Sequence, residues 1–220
     1  YPISNNIGIG ILSYDRKHSL ERLINSIEKY TDIDKTTIFI SDDASKDVDL
    51  LEYLESLEET GRYVILRNKE RLGIAGNTNR LLACLSRFKY ALLLNDDVEI
   101  KKGGWDSFYF KAADKTNMHH FIYREAGVYG AELGSPRKVN GVELLYVDSK
   151  PQGSILAYTN RAFKEIGYFD ESYGLYGMEH VDWSRRVYES GLQQAGYFDV
   201  AGSSEYFRIH NEASAMEDRA

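Results

Sequence analysis

Two adjacent carboxylates directly after an apolar run are the feature of this sequence that points most directly to chemistry. Residues 90–94 are apolar or aromatic, Asn95 follows them, and Asp96 and Asp97 come next. At the end of a buried strand two like charges repel each other and are partly desolvated, which is costly unless a cation neutralises them. A divalent metal that binds carboxylate oxygens, with a diphosphate as a further ligand, would supply that charge. A solvated Asn-Asp turn is the alternative interpretation.

A second acidic pair, Asp42 and Asp43, follows another strand-like segment at residues 36–40. In α/β folds a carboxylate at such a position accepts hydrogen bonds from the base or ribose of a nucleotide. The alternative is that Asp or Ser45 caps the next helix, and both hold if Asp43 binds while Ser45 caps. Because both acidic pairs end strands, a parallel sheet would bring them to one edge, at a switch point of the strand order.

A glycine-containing loop at residues 68–80 precedes a predicted helix. It resembles a phosphate-binding loop only weakly, because it matches neither the GxGxxG nor the P-loop pattern. Its glycines allow close backbone packing, and Asn77 and Arg80 are candidates to line a nucleotide pocket. A purely structural role for the segment is the alternative.

A helix predicted over 178–190 carries Glu179, Asp182 and Arg186 on one face, at i, i+3 and i+7. Glu179 falls in the first turn, where the helix dipole favours an anion, and follows a Gly- and Tyr-rich loop at 170–177. A carboxylate there can act as a general base or hold a hydroxyl-rich acceptor. The alternative is an ordinary solvated ion-pair face.

The histidines and the single cysteine carry weaker signals. His210 is a metal-ligand candidate only because a site with two carboxylates needs further protein ligands; a lone histidine is more often structural. His119 and His120 are adjacent, would point in different directions on a helix, and receive no role. Cys84 lies in an apolar helical pattern and is expected in the core, and one cysteine excludes an internal disulfide.

The elements that must position these residues alternate between strand and helix in the first hundred residues, which predicts βαβ units and a mostly parallel sheet. The second half is less regular, with one or two strands at 121–131 and a turn at 151–153 among its predicted elements. The further predicted strands are 7–13, 63–66, 144–147 and 154–158, and the further predicted helices are 18–30, 48–57, 74–88, 105–116 and 161–166. No linker or internal repeat interrupts the pattern, so one domain is predicted over residues 1–220.

Composition narrows the class of partner. The chain has 220 residues and a net charge of −7, without a Lys/Arg stripe, which argues against a nucleic-acid-binding surface. No apolar run approaches the ~20 residues that a membrane span requires. The chain opens at Tyr1-Pro2 without a Met or a signal segment, which suggests a processed or excised piece of a longer multidomain protein. We expect a cytoplasmic location, or one at the membrane surface through other parts of that protein.

Taken in order, these segments resemble the family-2-like glycosyltransferases of the GT-A fold, from Ile7 to about Ser214. The fold implied is a Rossmann-like, mostly parallel sheet with flanking helices and a smaller antiparallel part on the acceptor side. Residues 1–100 would form the nucleotide-binding half and residues 101–220 the acceptor-binding half. The motifs that carry the resemblance are Gly8 to Arg16, Ser41 to Ser45, Asn68 to Asn79, the DXD-like Asn95-Asp96-Asp97, and Gly153 to Glu171.

The resemblance implies a metal-dependent transferase that moves a sugar from a nucleotide sugar, with a UDP-sugar favoured, to a saccharide or other hydroxyl acceptor. Asp43 would contact the nucleotide base, Asp96 the ribose, and Asp97 the Mn²⁺ or Mg²⁺ that bridges protein and diphosphate. His210 would be a further metal ligand. The opening motif adds Tyr14 and Arg16 to the donor-binding set.

One departure from the family leaves the catalytic base open. Inverting members usually carry Glu-Asp where this chain has Glu179-His180, so the candidates are Glu179 first, then His180, then Asp182. The segment 177–182 also resembles the Glu-Asn-x-Glu segment of retaining polypeptide N-acetylgalactosaminyltransferases, and inversion is favoured only slightly.

Two other classes of protein are alternatives to a glycosyltransferase. A nucleotidyltransferase would require a basic Gly-rich loop after the first strand, where this chain has Tyr-Asp-Arg-Lys at 14–17. An inactive sugar- or nucleotide-binding module that has lost its base is the remaining possibility.

Overall fold

The computed structural model describes residues 6–32, 36–124, 135–147, 153–193 and 197–212. The helices are α1 Lys17–Tyr30, α2 Val48–Glu59, α3 Gly73–Leu85, α4 Trp105–Thr116, α5 Asn160–Ile166 and α6 Glu179–Glu189. The strands are β1 Ile7–Ser13, β2 Thr37–Asp42, β3 Tyr63–Arg67, β4 Tyr90–Asn95, β5 Val98–Ile100, β6 His120–Ile122, β7 Arg137–Val139, β8 Val142–Val147, β9 Ile155–Thr159, β10 Tyr197–Val200 and β11 Phe207–Ile209.

The central sheet has the strand order β3-β2-β1-β4-β9-β6. Its first four strands are parallel to one another, and β9 runs antiparallel to both β4 and β6. A three-stranded sheet, β10-β8-β7, and a ribbon of β5 with β11 complete the described strands. The prediction of a mostly parallel α/β sheet with a smaller antiparallel part is therefore confirmed.

The strand register brings both acidic pairs to one edge of the sheet, as predicted. Ser13 at the end of β1 lies opposite Asp42 at the end of β2, and Leu12 lies opposite Asn95 at the end of β4. Because the chain runs outward from β1 to β3 and then crosses back to β4, the strand order reverses between β1 and β4. Open α/β sheets bind ligands at such a switch point.

The core packs on both faces of this sheet. Ile9 and Ile11 of β1 face one buried cluster that includes α1, α2 and α4, while α3 and α6 pack on the opposite face. Gly8 is required by this packing, because a Cβ there would lie 2.6 Å from Cδ2 of Leu85 on α3. No helix among the described residues is long and apolar enough to cross a membrane.

Several predicted details require correction. Ser45 does not cap α2; the cap is Asp47, whose side chain accepts a hydrogen bond from the Leu50 N–H at 3.1 Å. Ser45 Oγ instead donates to Asp42 and accepts from the Asp15 N–H, which joins the loops after β1 and β2. Helix α3 ends at Leu85 rather than at 88. Residues 125–131 of the predicted strand region and 151–152 of the predicted turn lie outside the described residues.

Candidate active site

A pocket opens at the carboxyl edge of the sheet, between β1, β2, β4 and the start of α3. Its lining combines aromatic, cationic and acidic side chains from the sheet edge with one apolar side chain from the loop before α6. The lining includes Tyr14, Arg16, Asp43, Arg71, Asn77, Asp96 and Leu175.

Asp43 holds the start of α3 in place. Its Oδ1 accepts hydrogen bonds from the Leu72 N–H at 2.8 Å and from Asn68 Nδ2 at 2.9 Å, and its Oδ2 accepts one from the Gly73 N–H at 3.0 Å. A carboxylate oxygen has two lone pairs. Oδ2, which receives one hydrogen bond from the described residues, therefore has capacity for a ligand N–H.

Asp96 is fully buried and paired with Arg16. Both Arg16 Nε, at 3.2 Å, and Arg16 Nη2 donate to its carboxylate, a two-point contact. Burial raises the pKa of Asp96 to about 7, against the lowering effect of the Arg16 charge. Arg16 also donates to the backbone oxygen of Glu212. The predicted ribose ligand and the predicted donor-binding arginine thus bind each other.

Asp97 has no such cationic partner among the described residues. It is 6% exposed, and its Oδ1 is buried without a hydrogen-bond partner in the described part of the chain. A buried carboxylate oxygen without a donor is costly unless a ligand completes it. An oxygen-seeking divalent cation fits this atom. Ions such as Mg²⁺ commonly take only one or two carboxylates and complete their shell with phosphates and water.

His210 lies beside Asp97 along the backbone, but its ring faces another carboxylate. The β5–β11 ribbon directs the His210 N–H to the Asp97 carbonyl oxygen at 2.9 Å. The imidazole Nε2 lies 2.7 Å from Glu99 Oε2. Among the described residues no three His, Cys, Asp or Glu side chains form a ready metal cluster. A role for His210 as a ligand therefore falls to Nδ1 while Nε2 stays on Glu99, or to Nε2 if the ring leaves Glu99.

Asn77 and Arg80 support the pocket. The Asn77 side chain accepts from Ser41 Oγ and donates to the Ser41 backbone oxygen, which ties α3 to β2. Arg80 donates to the Arg67 carbonyl oxygen at 3.0 Å and to the Asn68 side chain. Asn77 still reaches the pocket wall, whereas Arg80 lies outside the described lining, which corrects its predicted place there.

Arg71 is a pocket residue that sequence reasoning missed. Its guanidinium carbon lies 4.3 Å from the centroid of the Tyr14 ring, and its Nε is buried without a hydrogen-bond partner among the described residues. The sequence offers Lys69, Arg71 and Arg80 within one short stretch. Only the pairing with Tyr14, across the fold, distinguishes Arg71 from the other two.

At the start of α6, Glu179 is a buried anchor for its neighbours. It is 2% exposed, its Oε2 accepts from the Gly177 N–H at 2.6 Å, and its Oε1 lies 3.1 Å from His180 Nδ1. Burial acts to raise the pKa of Glu179, but hydrogen bonds from His180 and from backbone N–H groups outweigh it and lower that pKa. A buried carboxylate with a lowered pKa is a weak proton acceptor, whereas His180 beside it is partly exposed.

His180 is partly exposed and packs against the strand that flanks the acidic pair. A Cβ on Gly153 would lie 3.0 Å from Cγ and Nδ1 of the His180 ring. The next residue, Ser154, accepts a hydrogen bond from the Asn95 N–H at 2.9 Å. The imidazole therefore lies beside Gly153, the residue before the one that is hydrogen-bonded to Asn95.

Asp182 is engaged in ion pairs. Its carboxylate accepts from Arg186 Nε at 2.9 Å and lies 3.8 Å from Arg185 Nη2. Arg186 also donates to the backbone oxygens of Ile166 and Tyr168. The ion-pair interpretation of this helix face therefore holds for Asp182, whose partner Arg186 fastens α6 to the preceding segment.

A family profile, Glycosyl transferase family 2, matches residues 9–164 of the chain. An uncharacterized glycosyltransferase of Acanthamoeba polyphaga mimivirus is 26% identical over 212 residues, which cover 93% of this chain and 81% of the relative.

Solved structures share the fold at lower identity. GalNAc-T7 with UDP, GalNAc and Mn²⁺ has a TM-score of 0.70 at 16% identity, over 88% of this chain and 42% of the other. S. aureus TarS 1-349 with UDP has a TM-score of 0.63 at 14% identity, over 87% and 59%. The mannosyltransferase PcManGT from Pyrobaculum calidifontis, with GDP-Man and Mn²⁺, has a TM-score of 0.61 at 15% identity, over 81% and 52%. The chain thus spans less than two thirds of these solved chains.

Proposed function

The chain belongs to glycosyl transferase family 2 and is a glycosyltransferase, and on that premise we propose its donor, metal and mechanism. The donor is a UDP-sugar, the acceptor is a hydroxyl group of a saccharide, the reaction inverts the anomeric centre, and Mn²⁺ or Mg²⁺ assists. Residues 1–100 bind the donor and residues 101–220 bind the acceptor.

The observation that carries this proposal is the unequal charge compensation of the acidic pair. Arg16 neutralises Asp96, whereas Asp97 Oδ1 is buried without a described hydrogen-bond partner. A divalent cation between Asp97 and a diphosphate would remove that cost. The Mn²⁺ and nucleotide complexes of GalNAc-T7 and PcManGT support the proposal.

The donor-binding groups favour uracil. Asp43 Oδ2 can accept one further hydrogen bond, which matches the single imide N–H of uracil better than the adjacent N–H donors of guanine. The ring of Tyr14, backed by the Arg71 guanidinium, offers a flat surface for the base.

The metal would be held by Asp97, with His210 joining through Nδ1 while Glu99 holds its Nε2, as carboxylates commonly do for a ligating histidine. When bound, such an ion stabilises the negative charge that develops on the departing diphosphate. Asp96 and Arg16 keep this edge of the pocket rigid, since their two-point contact fixes both side chains.

His180 is the proposed base and Glu179 its positioning residue. Glu179 Oε1 holds the proton on His180 Nδ1, which makes Nε2 the proton-accepting atom. As the acceptor oxygen forms its bond to the anomeric carbon, its proton passes to Nε2. The bond from that carbon to the diphosphate oxygen breaks, and its electron pair leaves with UDP.

A panel of UDP- and GDP-sugars, scored by nucleotide release in Mn²⁺ and in EDTA, tests this function. We expect the fastest release from a UDP-sugar and a loss of release in EDTA. Release from GDP-sugars alone would contradict the uracil assignment, and NMR of the product would contradict inversion if the donor's anomeric configuration persisted.

A further inference from the structure

The loop between α5 and α6 presents an unusual amount of apolar surface. Within residues 168–178, which we term the tyrosine loop, five large side chains are 39–51% exposed, whereas most such residues elsewhere in the described chain are buried. Contiguous exposed apolar surface commonly marks a binding site. The five are Tyr168, Tyr173, Leu175, Tyr176 and Met178.

The tyrosine loop is fastened to the scaffold rather than free. Asn79 of α3 donates to the Phe169 carbonyl oxygen at 3.0 Å and accepts from the Phe169 N–H at 2.8 Å. Farther along the loop, the Ile74 N–H donates to the Leu175 carbonyl oxygen at 2.9 Å. The backbone of the tyrosine loop is therefore fixed at Phe169 and at Leu175, on either side of Tyr173, which reduces the entropy lost on binding a ligand.

The tyrosine loop also joins the donor pocket to the proposed base. Leu175 lines the pocket itself, and Gly177 donates its N–H to Glu179, which in turn contacts His180. Tyr173 and Tyr176 flank Leu175 in sequence on either side. The tyrosine loop therefore contacts both the donor pocket and the residue pair that contains the proposed base.

The charges of the tyrosine loop restrict what can lie on it. Its own charged residues are Asp170 and Glu171, and Arg186, which contacts its backbone at Tyr168, is already paired with Asp182. Two carboxylates repel an acidic polymer or an anionic membrane but accept hydrogen bonds from sugar hydroxyls. Pyranose rings present a C–H face that packs on an aromatic ring, so the surface matches a neutral saccharide.

We propose that the tyrosine loop is the acceptor platform and that it selects a neutral saccharide, whose rings stack on Tyr173 and Tyr176. This inference rests on the proposed function, because it names the acceptor class of the same site. Stacking requires the aromatic ring and not the phenol oxygen, which gives the proposal a specific signature.

The test uses maltotriose, mannotriose and chitotriose as neutral probes and trigalacturonate as the acidic probe, titrated into the UDP- and Mn²⁺-loaded protein. We expect one or more neutral trisaccharides to bind and trigalacturonate not to bind. Tyr173→Ala and Tyr176→Ala should each weaken that binding about tenfold without changing UDP affinity. Tyr176→Phe should restore it. Tyr188→Ala, at a 45% exposed tyrosine on α6, is the matched control and should have no effect.

Failure of the platform is distinguishable from failure of the function. If UDP binds and none of the neutral trisaccharides does, or if the alanine variants bind them unchanged, the platform is wrong while the donor site stands. If Tyr176→Phe is as weak as Tyr176→Ala, stacking is wrong. If the protein binds phosphatidylcholine vesicles and the variant with both Tyr173→Ala and Tyr176→Ala does not, the tyrosine loop binds a membrane and the saccharide proposal is wrong. Absence of UDP binding would instead count against the proposed function.

Discussion

At the scale of single residues, neighbouring side chains have different roles because their partners differ. Asp96 is neutralised by Arg16, while Asp97 Oδ1 has no described partner. Glu179 is buried under hydrogen bonds, while His180 beside it is partly exposed. These partners, and not the residue types alone, decide which group can bind a cation or accept a proton.

The assignment of the base predicts an ordered set of variant activities. His180→Ala should lower turnover by about 10²–10⁴-fold with UDP affinity unchanged, because it removes only a proton acceptor. Glu179→Gln should retain part of that activity, because the amide oxygen can still accept a hydrogen bond from His180 Nδ1 and hold the ring in place. Steady-state kinetics, with kcat and KM determined separately, provides the measurement.

Asp182→Asn is the control on the same helix and should stay within several-fold of the parent, because Asp182 pairs with Arg186. If Asp182→Asn or Glu179→Gln is crippled while His180→Ala keeps most activity, the imidazole is not the base.

The acidic pair illustrates what the sequence could predict at this scale. An apolar strand followed by two aspartates indicated a charge problem at a sheet edge, and the strand register places them there. The burial of Glu179 could not be predicted, because it depends on Gly177, whose φ of +121° turns its N–H back toward the carboxylate.

At the scale of elements, the start of α3 is shaped by the tyrosine loop. Gly73 has a φ of +74°, and a Cβ on it would lie 2.6 Å from the Leu175 Cα. Gly61 has a similar φ of +68° with nothing within 4 Å. Alanine substitutions at the two glycines therefore separate the cost of a positive φ, which both share, from the cost of the steric contact with Leu175, which only Gly73 has.

Gly61→Ala should lower the free energy of unfolding by about 1 kcal/mol, the cost of a left-handed alanine. Gly73→Ala should lower the free energy of unfolding by a further ~1–3 kcal/mol, because its Cβ would contact the Leu175 backbone. It should also weaken UDP binding, because Leu175 lines the pocket. Urea denaturation and UDP titration check both variants. Equal losses in the two variants, with UDP binding intact, would show that the tyrosine loop does not press on α3.

His120 joins β6 to α6 and predicts a pH dependence of stability. Its Nε2 lies 2.9 Å from Ser184 Oγ, and burial lowers its pKa to about 4. The unfolded chain, with an ordinary histidine pKa near 6.5, then binds more protons below that pH, so stability falls as the pH drops from 6.5 toward 4. The fall should be about 1.5 kcal/mol between pH 6.5 and 5.

Urea denaturation at both pH values checks this expectation. His120→Gln should remove most of that difference, whereas His119→Gln, at a half-buried neighbour, should remove less of it. An unchanged difference in His120→Gln would mean that His120 is not held neutral by the fold.

Element boundaries show where local patterns succeed and fail. The helix at 105–116 and the strand at 7–13 match their predicted ranges, since both have clear apolar periodicity and distinct ends. The pairing of β8 with β10 joins residues about fifty positions apart, and no local pattern in the sequence encodes such a pairing. The helix-cap error at Ser45 has the same origin, because its partner Asp15 lies on another loop.

At the scale of the whole molecule, the strand order brings the residues of the candidate site together. The reversal of strand order between β1 and β4 opens the sheet edge where Tyr14, Asp43 and Asp96 meet. The tyrosine loop, which belongs to the second half of the chain, reaches the same edge through Leu175. This arrangement supports the proposed division into a donor half and an acceptor half.

The central claim, that Asp97 recruits a divalent cation for the diphosphate of UDP, is tested most directly by calorimetric titration of UDP in Mn²⁺ and in EDTA. The wild-type protein should bind UDP about tenfold or more tightly in Mn²⁺. Asp97→Ala should lose that difference, while Asp49→Ala, at an exposed aspartate on α2, should keep it. Equal UDP affinity of the wild-type protein in Mn²⁺ and EDTA, or a full Mn²⁺ effect in Asp97→Ala, would contradict the account.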